Sequence, residues 1–206
     1  MGKMPSAMTT SESDEWYTPR EIVDRVLAMW GGVDLDPCSN SKDAPNVPAR
    51  VHYTKADDGL SRPWHGRVYL NPPYGDAIGA WVDRLVMAYR TSEITEAIAL
   101  LPARTDTAWF QPLYAYPLCF VRGRLRFVGA ENSAPFPSAI AYLGNDLDRF
   151  ALAFGDMGRI VRSVYPVGDR PLQLSIFGAA SDQPGQSRAG AAGCRVKVKQ
   201  LESSRG

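Results

Sequence analysis

The residues best suited to chemistry stand in a row, Asn71-Pro72-Pro73-Tyr74. They follow Val68-Tyr69-Leu70, an apolar run that reads as a strand end, and a helical pattern starts a few residues later. Consecutive prolines lack N–H donors and hold φ near one value. The residue before a proline is driven out of the helical region. The segment is therefore a stiff, extended turn at the carboxyl end of a strand, where open α/β sheets bind ligands. Such a turn suits transfer of a group to an exocyclic amine on a planar ring. That amine is a poor nucleophile because its lone pair is delocalised into the ring. Two acceptors on its hydrogens would draw the nitrogen towards a tetrahedral form and localise the lone pair. The Asn71 side-chain oxygen and the Pro72 carbonyl are two such acceptors, acting by preorganised electrostatics without a general base. Tyr74 offers a flat face for the ring. An adenine in duplex DNA reaches such a pocket only when flipped out of the stack. The plain alternative is a rigid β–α turn with a buried tyrosine.

The elements that must position this turn are legible around it. Thr18 suits a helix N-cap, Pro19 the first helical position and Glu21 the end of a capping box. Ile22, Val23, Val26, Leu27 and Trp30 repeat at helical spacing before Gly31-Gly32. Val33-Asp34-Leu35-Asp36 reads as a strand, followed by the turn Pro37-Cys38-Ser39-Asn40. Residues 41–63 are irregular, with a short strand at Val51-His52-Tyr53. Ile78, Trp81, Val82, Leu85, Val86 and Tyr89 mark a second helix. Residues 97–101 are continuously apolar, the pattern of a buried parallel strand. Thr105 would cap a third helix carrying Ala108, Trp109, Phe110 and Leu113. Residues 118–121, 125–128 and 139–143 read as strands, the first two as a hairpin. A last helix is expected at 147–154 and a strand at 160–165. This alternation predicts one α/β domain with a mainly parallel sheet.

Composition sets limits. The 206 residues suffice for one ordinary core. Lys and Arg number 23 against 22 Asp and Glu, so charge balance neither demands nor excludes a nucleic acid. Three scattered cysteines, Cys38, Cys119 and Cys194, imply no disulfide framework and no zinc spacing. No apolar run reaches membrane-spanning length, and residues 1–13 lack a signal-peptide core. The expectation is a cytoplasmic protein with no metal, a disordered N-terminus at 1–13, a domain at 14–178 and a disordered tail at 179–206. His52 and His65 have no triad or ligand partners in spacing and read as structural.

Several motifs fall in a telling order. Trp16-Tyr17-Thr18-Pro19 opens the first helix, and Asp36-Pro37-Cys38 ends a strand. Asp57-Asp58-Gly59-Leu60 precedes the tetrapeptide, 101–110 follows the apolar strand, and Arg122 to Phe127 and Ala134 to Ala139 come later. Singly, each reads as a turn or a helix start. Together they resemble amino-methyltransferases that use S-adenosylmethionine, and in particular the small phage-encoded Dam-type DNA adenine-N6 methyltransferases. The resemblance covers roughly residues 14–166. It implies a Rossmann-like S-adenosylmethionine-dependent methyltransferase fold and double-stranded DNA as substrate. It makes Asn71, Pro72, Pro73 and Tyr74 catalytic. It places the cofactor against Trp16, Tyr17, Thr18, Pro19, Asp36, Pro37, Cys38, Asp57 and Asp58. The chain departs from the wider pattern at Pro37 to Asn40, where a Gly-x-Gly turn is usual. In a strand, Arg122, Arg124 and Arg126 would share one face. With Arg104 they are the candidate phosphate contacts; the plain reading is a charged strand edge. Two rival functions remain at this level, a protein glutamine-N5 methyltransferase and a non-catalytic DNA-binding protein on the same scaffold.

Overall fold

The computed structural model describes residues 16–164, all within one compact unit, Met1–Gly168. The expected boundaries at 13 and 178, Cys194 and the basic tail lie outside the described residues. Helix α1 (Arg20–Trp30) leads into β1 (Val33–Asp36) and β2 (Ala49–His52). Strand β3 (Arg67–Leu70), helix α2 (Ile78–Arg90) and strand β4 (Glu96–Pro102) follow. A short 3-10 helix (Gln111–Ala115), β5 (Leu118–Val121), β6 (Ser138–Leu143), α3 (Leu147–Phe154) and β7 (Gly158–Val161) complete the order.

The seven strands form one sheet in the order β2-β1-β3-β4-β6-β5-β7. The pairs from β2 to β4 are parallel. Those from β4 to β7 are antiparallel. The sheet is therefore mixed, not mainly parallel as expected. The reason is that β6 folds back to insert between β4 and β5, and β7 runs back along β5. A continuous apolar strand such as β4 shows only that both faces are covered. It carries no signal for the direction of its neighbour.

Side chains alternate across the sheet. Val68, Leu70, Ala97, Ala99, Leu101, Ala139 and Ala141 pack with α2. Tyr69, Ile98, Leu100, Ile140 and Tyr142 pack with α1 and α3. The α1 helix ends as its sequence requires: Gly31 takes the left-handed conformation (φ 72°) and its N–H returns to the Leu27 carbonyl at 2.7 Å. Its start differs from expectation. Thr18 does not cap it, because its hydroxyl is used elsewhere; Pro19 holds the cap position without a side-chain bond. The expected helix after Thr105 is a series of turns ending in the 3-10 helix. The expected strand at 125–128 is an extended loop. Gly123 (φ 76°) breaks the run from β5, and only Val128 bridges, to Tyr17.

The chain leaves β1 for β2 on one side and returns to β3 on the other. The carboxyl ends of β1 and β3 thus flank a switch point in the sheet, the place where α/β sheets open a crevice. Asp36 and Asn71 sit at those two ends.

Candidate active site

A cavity of about 520 Å³ occupies this switch point. Its wall brings together Trp16, Tyr17, Thr18, Asp36, Pro37, Cys38 and Asp58 of the expected cofactor residues, with Asn71, Pro72 and Pro73 of the turn. Pro19, Asp57 and Tyr74 are not on that wall. Asn46, Lys55, Gly59, Tyr69 and Trp81 are, and sequence reasoning missed them.

Asn71 is fixed by its nitrogen. Nδ2 donates to the Trp16 carbonyl and, at 3.0 Å, to Thr18 Oγ1. A carbonyl can only accept, so the amide's orientation is settled by that contact. Its Oδ1 is then left buried without a hydrogen-bond partner among the described residues. Thr18 is itself held, with Oγ1 3.0 Å from the Tyr69 hydroxyl. Thr18 and Tyr69 are both buried. Desolvation pushes the Tyr69 phenol well above its usual range, so it remains a neutral hydrogen-bonding group.

Residues 16–18 act as a strap. The Trp16 carbonyl takes Asn71 Nδ2, the Tyr17 carbonyl takes the Val128 N–H at 2.9 Å, and the Thr18 carbonyl takes Asn46 Nδ2 at 3.0 Å. Three separate loops are thereby tied to three successive peptide units.

Asp36 is buried at the cavity edge. Desolvation raises its carboxyl to about 7, against hydrogen bonds from the Cys38 N–H and Ser39. Burial first, and then the Asp36 charge, push the Cys38 thiol well above its usual value, so it is no thiolate nucleophile. Asp57 is occupied elsewhere. It accepts from Lys42 Nζ at 2.7 Å and from the Thr54 N–H and hydroxyl, which hold its carboxyl well below the usual range. Asp58 faces the cavity from a left-handed turn (φ 53°). Gly59 lies so close to the neighbouring loop that an added Cβ would stand 1.9 Å from the Pro37 carbonyl oxygen. Only a residue without a Cβ lets these two loops approach so closely.

Tyr74 sits beside the cavity in an aromatic group. Its hydroxyl donates to the Leu100 carbonyl at 3.2 Å, and its ring meets Phe127 and Phe136 edge-on at 6.0 and 5.4 Å. Trp16 meets the same two phenylalanines at 5.2 Å. Burial pushes the Tyr74 phenol upward. Phe127 and Phe136 belong to motifs quoted from the sequence, but the signal that would have placed them, contact with Tyr74, is long-range.

Arg104, Arg122, Arg124 and Arg126 are all exposed. No strand forms here: exposed Gly123 (φ 76°) turns the chain between Arg122 and Arg124, and the in–out alternation is confined to residues 124–127. Among the described residues no group of three or more His, Cys, Asp or Glu could hold a metal, and no helix is long and apolar enough to cross a membrane.

Comparison with known proteins identifies a family. Residues 5–141 match the family described as DNA N-6-adenine-methyltransferase (Dam). A DNA N-6-adenine-methyltransferase of Escherichia phage T1 is 30% identical over 99 residues, which cover 47% of this chain and 39% of that protein. The chain thus spans well under half the length of the relative it matches. The family match runs from before the Trp16 strap, through the Asp36 and Asn71 turns, into β6. On that span, well over half of its length, the chain belongs to the Dam family of DNA N-6-adenine-methyltransferases.

Proposed function

We propose that the protein is an S-adenosylmethionine-dependent methyltransferase acting on the N6 amine of adenine in double-stranded DNA. The carrying observation is the Asn71 amide. It is pinned through Nδ2 and presents a buried oxygen with no hydrogen-bond partner among the described residues. A buried acceptor left open costs stability, and an amine hydrogen of the target base would satisfy it. Strand order and the crevice between β1 and β3 suit a Rossmann-like methyltransferase fold, with the catalytic domain taken as residues 14–178.

The cavity fits the methyl donor in size and character. Trp16 and Trp81 offer apolar surface, while Asp36, Asp58 and Lys55 offer charge for a zwitterion. Asp58, rather than Asp57, takes the acidic role beside the donor. When bound, S-adenosylmethionine supplies a methyl group activated by a sulfonium. The chain's own part is positional. Asn71 Oδ1 and the Pro72 carbonyl accept the two amine hydrogens and localise the nitrogen lone pair. Pro73 keeps the turn stiff, and Tyr74 supports the base with its ring. The exposed arginines at 104, 122, 124 and 126 meet DNA phosphates, which orient the duplex without reading its sequence. An enzyme of cellular DNA is placed in the cytoplasm, that of the host if phage-encoded. The direct test is expression in a methylation-deficient host followed by sequencing for modified bases. N6-methyladenine in a short recurring context is expected; unmodified DNA, or label in protein, would defeat the reading.

Two further results are expected. Thr18→Val keeps the shape but removes the acceptor for Asn71 Nδ2 and the partner of Tyr69. Stability should fall by about 1–3 kcal/mol in denaturant titration, since a buried phenol loses its bond. The transfer rate should fall roughly ten-fold with donor affinity little changed, as measured by single-turnover assay and calorimetry.

Asp36 gives a pH dependence. Its carboxyl is raised to about 7, so between its ordinary value and about 7 the folded chain holds a proton that the unfolded chain has lost. The stability from this group is greatest at low pH and falls as pH rises through that window. A cationic donor favours the charged form, so donor affinity should rise several-fold from pH 5.5 to 7.5. Calorimetric titration of Asp36→Asn should show a flat profile.

A further inference from the structure

Three buried side-chain atoms have no hydrogen-bond partner among the described residues: Arg25 Nε, Asn71 Oδ1 and Ser138 Oγ. Arg25 is accounted for. Its other nitrogens bind Glu21, Asp156 and the Ala153 carbonyl, and the orphan is left over from that pairing. The Asn71 oxygen belongs to the site above. Ser138 is 1% exposed and its hydroxyl has no structural task.

Its place in the fold is specific. Ser138 opens β6, opposite Pro102 at the carboxyl end of β4. Along β6, Ile140 and Tyr142 face α1 while Ala139, Ala141 and Leu143 face α2. By that alternation Ser138 faces α1. Phe136, two residues earlier, packs on the same side, against Trp16 and Tyr74. Asn71, two residues after Tyr69, is on that side too. The register puts Leu70 opposite Ala99 and Leu100 opposite Ile140. Ser138 therefore stands two strands from Asn71 and two residues further towards the open end, roughly 12 Å between Cα atoms from ordinary strand spacings. Tyr74 reaches the strand between them, with its hydroxyl on the Leu100 carbonyl. An open acceptor and an open hydroxyl thus flank one aromatic group. A base laid over that group with its amine at Asn71 would turn a ring edge towards Ser138.

We propose that Ser138 is a base-reading residue, its hydroxyl donating to a ring nitrogen that flanks the exocyclic amine of the target adenine. The inference rests on the adenine methyltransferase reading. It assigns to Ser138 the recognition of the ring, separate from the work of Asn71 and Pro72 on the amine. An unsatisfied hydroxyl weakens the free protein and is repaid only when the base arrives.

The test compares wild type with Ser138→Ala on duplexes carrying adenine, 1-deazaadenine or 7-deazaadenine at the target position. On adenine the variant should lose about ten-fold in kcat/KM, the worth of one neutral hydrogen bond. On the analogue lacking the contacted nitrogen, variant and wild type should transfer equally, and that analogue identifies N1 or N7. The variant's Tm should be unchanged or higher, which a structural serine would not give. Equal activity on adenine, or the same loss on all three duplexes, would overturn the proposal. A wild type inactive on adenine duplexes is a different result, and it would overturn the methyltransferase reading along with the proposal.

Discussion

Asn71→Ala is expected to reduce methyl transfer to adenine by roughly three orders of magnitude, the scale for losing one preorganised group aimed at the reacting atom. The fold should survive. The substitution removes two bonds made by Nδ2, to the Trp16 carbonyl and to Thr18. It also removes the buried open oxygen. These effects oppose each other, so the change in stability should be within about 1 kcal/mol. Donor affinity should be nearly unchanged, because Asp36, Asp58 and Trp81 still line the cavity. Single-turnover transfer of labelled methyl, beside calorimetric titration with donor alone, separates the two quantities. A variant that transfers at the wild-type rate would remove Asn71 from the chemistry.

Gly59→Ala should act in the opposite way, through structure first. The new Cβ would lie 1.9 Å from the Pro37 oxygen, 2.9 Å from the Pro37 carbonyl carbon and 3.3 Å from the Trp81 ring. The closest atoms are backbone and cannot swing aside. The Gly59 carbonyl also accepts from Trp64 Nε1 at 2.8 Å, so the residue is held from its other side. The two loops must separate. A loss of about 3 kcal/mol is expected, at the upper end for overpacking, which lowers Tm by roughly 6–12 °C in a domain of this size. Donor binding should fall with it, since Pro37 and Gly59 both form the cavity wall. Thermal melting with and without donor checks both parts, and a variant as stable as wild type would contradict the close approach.

Much of this site was legible in local sequence. The periodic apolar residues of α1 and the glycine after them mark that helix within a residue or two. Two prolines after an apolar run mark the turn at Asn71 without further context. What escaped depends on contacts between distant residues. Thr18 has every local feature of a helix cap, yet its hydroxyl serves Asn71, 53 residues away. Asp57 and Asp58 are equivalent in sequence, and only the partners Lys42 and Thr54 show that Asp57 is tied back into its loop. The arginines at 122–126 alternate as a strand would, but Gly123 turns the chain and leaves them in an extended loop. The direction of β6 is invisible because an apolar strand reads the same either way.

The strap at residues 16–18 makes the site a shared joint. Its three carbonyls are held by the Asn71 turn, by the loop beside the arginines and by the Asn46 loop that lines the cavity. Whatever displaces one of these loops must strain bonds to the other two. If DNA and a methyl donor both seat here, their binding is expected to be thermodynamically coupled, with the same magnitude in both directions. The N-terminal segment works as a mechanical linkage, and the position of Asn71 depends on all three loops being seated together.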